Sequence, residues 1–400
     1  MNPNQSLPTL DDLDAAGKRI LIRVDFNAPL ADGQISDDTR LNAALPTILE
    51  LLDAGASLVL MSHLGRPKGE PKPELRMAPV AAALAELLGR EVIEVQGDPV
   101  LGEGALATCQ ALEPGQVALL ENLRFDPGEK SDDPAFAAGL AALADAYVND
   151  AFGTAHRPAA SVVGVAGLLP AYAGRLLHRE LEVLGAALSE PKRPFIVVMG
   201  GAKIGDKIGV IDALLPLADR ILVGGGMANT FLAAEGVEMA NSLVETDRLD
   251  DARRLRALAG DKLVVPFDLL AADAFDEAAN TRIVGTAKGV PKGWQALDIG
   301  PATVEVFKAA LADAGTVIWN GPMGVFEMVP FAKGTYAVAE ILAGLNGAMT
   351  IVGGGDSAAA VHKSGLADKM GWISTGGGAA LELLEGRPLP AVVALLEARS

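Results

Sequence analysis

Short apolar runs recur along this chain, several ending at a glycine, an asparagine or a basic residue, with amphipathic stretches filling the intervals between them. Runs of this length, rich in Val and Ile, read as buried strands rather than helices. They predict strands at 19–24, 57–61, 91–95, 117–120 and 146–148, and a second series at 195–199, 220–223, 262–265, 316–319, 349–352 and 372–374. Between the first two strands, Leu41, Leu45, Ile48 and Leu52 form a helical stripe. Ser36 and Asp37 offer its N-cap, and Gly55 stops it. A further helix is expected at 78–88, and a short terminal one at 390–399, opened by Pro390. Leucines at 177, 181, 184 and 188 mark an amphipathic helix over 174–190, ended by Pro191 and Pro194. Because it separates two βα series, it reads as an interdomain helix. Strands and helices alternating at βαβ spacing predict an α/β fold of parallel sheets flanked by helices.

At the midpoint, residues 195–208 read FIVVMGGAKIGDKI. The strand stops at Gly200-Gly201, where a glycine pair lets backbone N–H groups approach an anion closely. Lys203 and Lys207, four apart, would share one helical face and suit phosphate. Glycine triplets follow three other strands, at 224–226, 353–355 and 376–378. Several such loops on one edge of a parallel sheet place a ligand at the strands' carboxyl ends.

Composition narrows the partners. The chain has 400 residues, 50% of them hydrophobic and 4% aromatic, enough for two or three domains with full cores. Its net charge is −18, from 51 acidic and 33 basic residues, which argues against nucleic acid or an anionic membrane as partner. Any anion must therefore meet a local basic cluster. The single cysteine, Cys109, excludes an intrachain disulfide and a cysteine-rich metal site, as suits the reducing cytoplasm. The first 17 residues lack a basic region and apolar core, so no signal peptide is expected. The most apolar stretch, 162–173, is broken by Pro170 and falls short of the roughly 20 residues a membrane span requires.

Such a cluster exists in the first half. Arg23, Arg40, His63, Arg66, Arg124, His156 and Arg157 fall at or just after strands. Arginine forks meet phosphate or carboxylate oxygens bidentately, each charge-assisted bond contributing roughly 1.5–3 kcal/mol. The cluster predicts a small, multiply charged anion, with Asp25 and Asn27 available to its hydroxyl groups. In the second half Gly353-Gly354-Gly355-Asp356-Ser357 opens a helix whose amides suit phosphates. Asp356 is placed either as a magnesium ligand or as an N-cap. Glu327, closing a loop that starts at Asn320, can accept hydrogen bonds from a ribose. Neither the G-x-G-x-x-G fingerprint nor the P-loop motif occurs.

Taken together, RVDFNAPL (23–30), DDTR (37–40), SHLGRP (62–67), ENLRF (121–125), NDAFGTAHR (149–157), GGAKIGDKI (200–208), WNGPMGVFE (319–327), GGGDS (353–357) and STGGGAALELLEG (374–386) resemble the phosphoglycerate kinase family, colinearly and over essentially the whole chain. The resemblance implies two Rossmann-like lobes, each with a mostly parallel sheet: an acid-binding domain over 1–173, the interdomain helix over 174–190, a nucleotide domain over 191–385, and a segment over 386–400 returning to the first lobe. It implies that 3-phosphoglycerate or 1,3-bisphosphoglycerate binds through Asp25, Asn27, Arg40, His63, Leu64, Gly65, Arg66, Arg124 and Arg157. Magnesium ADP or ATP would bind through Lys207, Ala296, Asn320, Glu327, Gly354, Gly355, Asp356 and Ser357, with Asp356 on the Mg²⁺. Arg40, Lys203 and the amides of Gly376 and Gly377 would meet the phosphoryl group in transit. Ala296, in WQALDIGP, stands where many relatives are expected to carry glycine near the adenine. The resemblance also favours a monomer.

The reacting carboxylate is already ionised at neutral pH, so no general base is required. What remains is positioning and charge neutralisation of an in-line transfer, with hinge closure to exclude water. An NAD-dependent dehydrogenase would instead need a G-x-G-x-x-G turn. A non-catalytic nucleotide-binding protein of the same fold would have lost the transfer cations, yet Lys203, Lys207, Arg40 and Asp356 are all present.

Overall fold

The computed structural model describes residues 6–95 and 97–398. Contacts divide the chain into two compact units, one running to Glu182 and resuming at Pro388, the other spanning Val183–Arg387.

Strands in chain order are β1 (Arg19–Val24), the short hairpin β2 (Leu30–Ala31) and β3 (Gln34–Ile35), β4 (Ser57–Met61), β5 (Val92–Val95), β6 (Val117–Leu120), β7 (Ala146–Asp150) and β8 (Ala171–Ala173) in the first unit. The second unit carries β9 (Phe195–Met199), β10 (Arg220–Val223), β11 (Leu263–Val264), β12 (Asp268–Ala272), β13 (Thr281–Gly285), β14 (Gln295–Ile299), β15 (Thr316–Asn320), β16 (Met349–Gly353) and β17 (Trp372–Ile373).

The first unit's main sheet runs β5-β6-β4-β1-β7-β8 and is parallel throughout. From β1 the chain first builds outward on the β4 side, then returns to add β7 on the other. That reversal opens a crevice beyond the carboxyl ends of β4, β1 and β7. Helices cover the faces: Leu41 and Ile48 of the helix Thr39–Asp53 join Ile20, Ile22 and Val24 in one buried cluster. Each such aliphatic side chain contributes about 1.5–3 kcal/mol when fully buried. The terminal helix Pro390–Glu397 belongs to this unit, its Ala391 N–H donating to the Ala155 carbonyl.

The second unit repeats the logic with the order β11-β10-β9-β15-β16-β17, again all parallel. Here β9 is the starting strand, and its reversal point lies against β15. Ile196, Val198, Phe307 and Trp319 are buried in its core. The helix Arg175–Ser189 contains the boundary between the units. In the first unit, Asp150 Oδ1 accepts from the N–H groups of Leu176 and Leu177, capping the helix from a distant strand.

Several sequence expectations need correction. A separate antiparallel sheet, β13-β12-β14, lies in the second unit where no strands were expected. The expected strand at 262–265 is cut to Leu263–Val264, because a 3₁₀ turn takes Gly260–Lys262 and Pro266 follows. The helix after Ser36 starts only at Thr39, with Asp38 at the cap position and Asp37 accepting from the Thr39 N–H at 2.9 Å. Among the described residues, no helix is long and apolar enough to cross a membrane.

Candidate active site

In the first unit most acid-site candidates lie in loops that follow β1, β4, β6 and β7 of one sheet, and Arg40 joins them from the first turn of the helix Thr39–Asp53 through its pair with Asp25. Ser62, just past β4, ties two of these strand ends together. Its hydroxyl donates to the Val24 carbonyl at 2.8 Å and accepts from the Phe26 N–H at 2.9 Å. Beyond it, Asn27 Oδ1 accepts from the Gly65 N–H at 2.8 Å, so the loops after β1 and β4 are pinned to one another. Asn122, after β6, clamps the third: its Oδ1 accepts from the N–H groups of Leu64 and Arg124, and its Nδ2 donates to the carbonyls of Leu64 and Leu75. Sequence reasoning gave Asn122 no role. Its position directly after an apolar strand, beside Glu121, was the available signal.

The cations divide into three kinds. Arg40 is half-buried and pairs with Asp25 at 2.7 Å, and Arg124 donates to the Gly65 carbonyl at 2.9 Å. Arg66 and Arg157 are exposed, Arg157 donating to His156. Arg23 differs from all of these, lying inside β1 at 1% exposure with its guanidinium committed to interior partners. The sequence reading had placed it among the anion-facing arginines. Burial, then the charges of Arg157 and Arg23, pull the Arg124 guanidinium down to about 10. Burial is also the main reason that His63 is held well below the ordinary imidazole value, followed by the charges of Arg23, Arg124, Arg157 and Arg40. That mutual repulsion marks a place where positive charge awaits an anion.

In the second unit the loops after β9, β10 and β15 interlock through glycine. Gly200 N–H donates to the Asn320 carbonyl, Gly201 N–H to Pro322, and Gly225 N–H to Met323. A Cβ on Gly200 would collide with the Pro322 carbonyl, one on Gly321 with the Gly200 carbonyl, and one on Gly225 would lie 2.7 Å from the Gly201 oxygen. Only glycine allows so close an approach of three backbones.

Around this hub stand the nucleotide candidates. Lys207 Nζ donates to Asn320 Oδ1, and the buried Nδ2 of Asn320 is a donor without a partner among the described residues. Gly354 lies beside that amide, with φ +88, and caps the helix Gly355–Lys363. Asp356 is therefore in the helix's first turn rather than at its cap, and it is exposed. Ser357 is buried, its oxygen accepting from the Gly321 N–H at 2.6 Å. Gly376 caps the helix Gly377–Leu384, and Gly377 sits against Gly354. Burial draws Lys207 down to about 8, opposed by the nearby carboxylates of Asp356 and Asp206.

Three candidates stand outside this group. Lys203 and Glu327 are exposed. Ala296 lies on β14, its N–H given to Ser242 Oγ and its side chain buried beside Leu232, Met239 and Leu269. Among the described residues no three His, Cys, Asp or Glu side chains converge as a metal cage. A lone exposed carboxylate such as Asp356 fits Mg²⁺ in the way phosphate-held magnesium is usually met, with one or two protein carboxylates and the rest from phosphates and water.

Two α/β units, one bearing crowded guanidinium groups and the other a glycine-lined cradle with lysines, describe a phosphotransferase. The phosphoglycerate kinase family model matches residues 10–387. A phosphoglycerate kinase from Chloroflexus aurantiacus is 57% identical over 396 residues, covering 98% of this chain and 99% of that one. The solved phosphoglycerate kinase structure from Coxiella burnetii superposes with a TM-score of 0.87 at 40% identity, covering 98% of this chain and 99% of its own. That from Pyrococcus horikoshii OT3 gives 0.88 at 33% identity, with the same coverages. This chain belongs to the phosphoglycerate kinase family.

Proposed function

We propose that the chain catalyses reversible transfer of a phosphoryl group between 1,3-bisphosphoglycerate and ADP, giving 3-phosphoglycerate and ATP in glycolysis. The observation that carries the assignment of roles is the separation of charge: crowded guanidiniums in one unit, backbone amides with lysine in the other. In the first unit Asp25, Asn27, Arg40, His63, Leu64, Gly65, Arg66, Arg124 and Arg157 hold the acid. Asp25 orients Arg40 through their 2.7 Å pair, and Arg40 is left free to turn its other donors to the transferring group.

In the second unit the N–H groups at Gly354 and Gly355, with the unpaired Nδ2 of Asn320 and the ammonium of Lys207, take the nucleotide phosphates. Ser357 offers its hydroxyl hydrogen, and Glu327 the ribose contact. Ala296, its N–H already engaged, borders the base by surface contact alone. Mg²⁺, carried by Asp356 and the phosphates, neutralises charge on the nucleotide. Lys203, together with Arg40 and the amides of Gly376 and Gly377, meets charge that develops on the phosphoryl group. A carboxylate and a phosphate react without proton transfer, so the protein's task is to orient, neutralise and exclude water. Closure of the two units on a hinge is proposed to bring the reactants together. The working form is proposed to be a cytoplasmic monomer.

A coupled assay supplying 3-phosphoglycerate and Mg-ATP, with the acyl phosphate reduced to the aldehyde by a dehydrogenase, tests this directly. NADH oxidation that depends on all three additions is the expected result. A chain that binds Mg-ATP yet gives no turnover would be a non-catalytic nucleotide-binding protein.

A further inference from the structure

Beneath the acid site lies a buried relay that the assigned roles do not use. Its inner end is Glu129, 2% exposed, in the short helix Gly128–Ser131. The Ser161 hydroxyl donates to Glu129 Oε1 at 2.7 Å, and the Ser161 N–H donates to Oε2 at 3.1 Å. Tyr147, on β7, donates its hydroxyl to the Ser161 carbonyl at 2.8 Å, fixing the residue from the other side. Ser161 Oγ then accepts from Arg23 Nε at 2.8 Å, while Arg23 Nη1 donates to the Val24 carbonyl. Arg23 Nη2 is 4.0 Å from Glu129 Oε1 and 3.0 Å from His63 Nδ1.

A guanidinium has donors only. Facing Arg23, His63 Nδ1 must therefore accept, and a neutral imidazole then carries its proton on Nε2, on the ring edge turned away from Arg23. Among the described residues the hydrogen bond of the His63 ring is the one to Arg23 Nη2, and Nε2 is not one of the fully buried atoms that lack a partner. We infer that Arg23, anchored by Ser161 and Glu129, is a positioning residue that locks His63 as the neutral Nε2–H tautomer, so that the ring presents one aimed donor to an oxygen of the phosphorylated acid.

The inference rests on His63 being part of the acid site, and it divides labour there. Arg40, Arg66, Arg124 and Arg157 supply charge, whereas His63 supplies direction. A second proton on the ring would set two cations 3.0 Å apart in a buried place. The low proton affinity of this imidazole, from burial and then the surrounding arginines, agrees with that.

The test is a ¹⁵N–¹H spectrum of the histidine rings in full-length protein labelled with ¹⁵N-histidine, near pH ~7. His63→Gln identifies the signals among the four histidines. The expected spectrum has a protonated Nε2 and a bare Nδ1; a proton on Nδ1, or on both nitrogens, overturns the inference. Arg23→Met combined with Glu129→Gln removes both buried charges together, so neither is stranded. It should give mixed tautomers and raise KM for 3-phosphoglycerate about tenfold, with kcat and KM for Mg-ATP within about twofold. Ser161→Ala, which deletes one hydroxyl, should move the same readouts in the same direction by less. A wild-type tautomer ratio in a folded variant lacking Arg23 overturns the positioning role. If instead His63→Gln leaves KM for the acid unchanged, the acid-site reading of His63 falls, and with it the functional half of this inference, whatever the tautomer.

Discussion

In the proposed mechanism the two units recognise anions by opposite means. In the first, polar and charged side chains dominate, and three of them are tethered, Arg40 by Asp25, Arg124 by the Gly65 carbonyl and the neutral His63 by Arg23, while Arg66 and Arg157 stand exposed. In the second, main-chain atoms dominate, and what matters is the absence of side chains at Gly200, Gly225, Gly321 and Gly354. A small acid with few atoms needs forks of fixed direction, because every contact must carry both charge and geometry. A long phosphate tail can be followed by amides, which are numerous, uncharged and spaced by the backbone itself. Charge that must be mobile during reaction is then left to a few lysines.

This contrast can be broken at its sharpest point by Lys203→Ala. Lys203 is exposed, and no other residue of the chain holds it in an ion pair among the described residues, so its proposed value is realised in the transition state. The variant is expected to lose on the order of 10²–10³ in kcat with KM values nearly kept. Full activity in steady-state assays would remove Lys203 from the transfer step. Next in size is Gly354→Ala. At φ +88, with a new Cβ 3.2 Å from Asn320 Nδ2, it should raise KM for Mg-ATP about ten- to a hundredfold and leave KM for the acid alone. An equal rise in both constants would mean that the two sites are not independent in the way described.

For the first unit, Arg66→Ala should raise KM for 3-phosphoglycerate about tenfold, the loss of roughly one charge-assisted bond, with little change in kcat. An unchanged KM would strike Arg66 from the acid site. The smallest effect is a pH dependence. Lys207 titrates at about 8 because burial disfavours its charged form. Below that pH the ammonium is present to meet phosphate; above it, binding must recruit a proton. Calorimetric affinity for Mg-ADP is therefore expected to be flat up to about pH 8 and several-fold weaker at about pH 9, with Lys207→Arg flattening the curve. A decline of the same size in that variant would assign the titration to another group.

Much of this arrangement was legible beforehand, for identifiable reasons. The strands Arg19–Val24, Ser57–Met61 and Phe195–Met199 are buried on both faces of parallel sheets and so read as unbroken apolar runs. The same property hid Arg23: in a strand with no solvent face, alternation gives no clue to which side a residue points, and an arginine near its end read as one more cation facing an anion. The antiparallel sheet escaped because Asp268–Ala272 is Ala-rich and Thr281–Gly285 is mostly exposed, so neither shows a clear alternation of apolar and polar positions. Asn122 and the Glu129–Ser161–Arg23 relay depend on residues far apart in the chain meeting at one place, which only the folded arrangement reveals. Local glycine signals, by contrast, announced themselves, since a triplet after a strand has few other uses.

The knot of glycines joining the loops after β9, β10 and β15 sets a rule for anyone wishing to retune this protein. Because three backbones touch there with no room for a methyl group, a change at one of those positions cannot be absorbed locally and would propagate to the other two. On the proposed nucleotide site, altered preference should thus be sought near Glu327, which is exposed, rather than at the buried Ala296, and the hub should be inherited untouched.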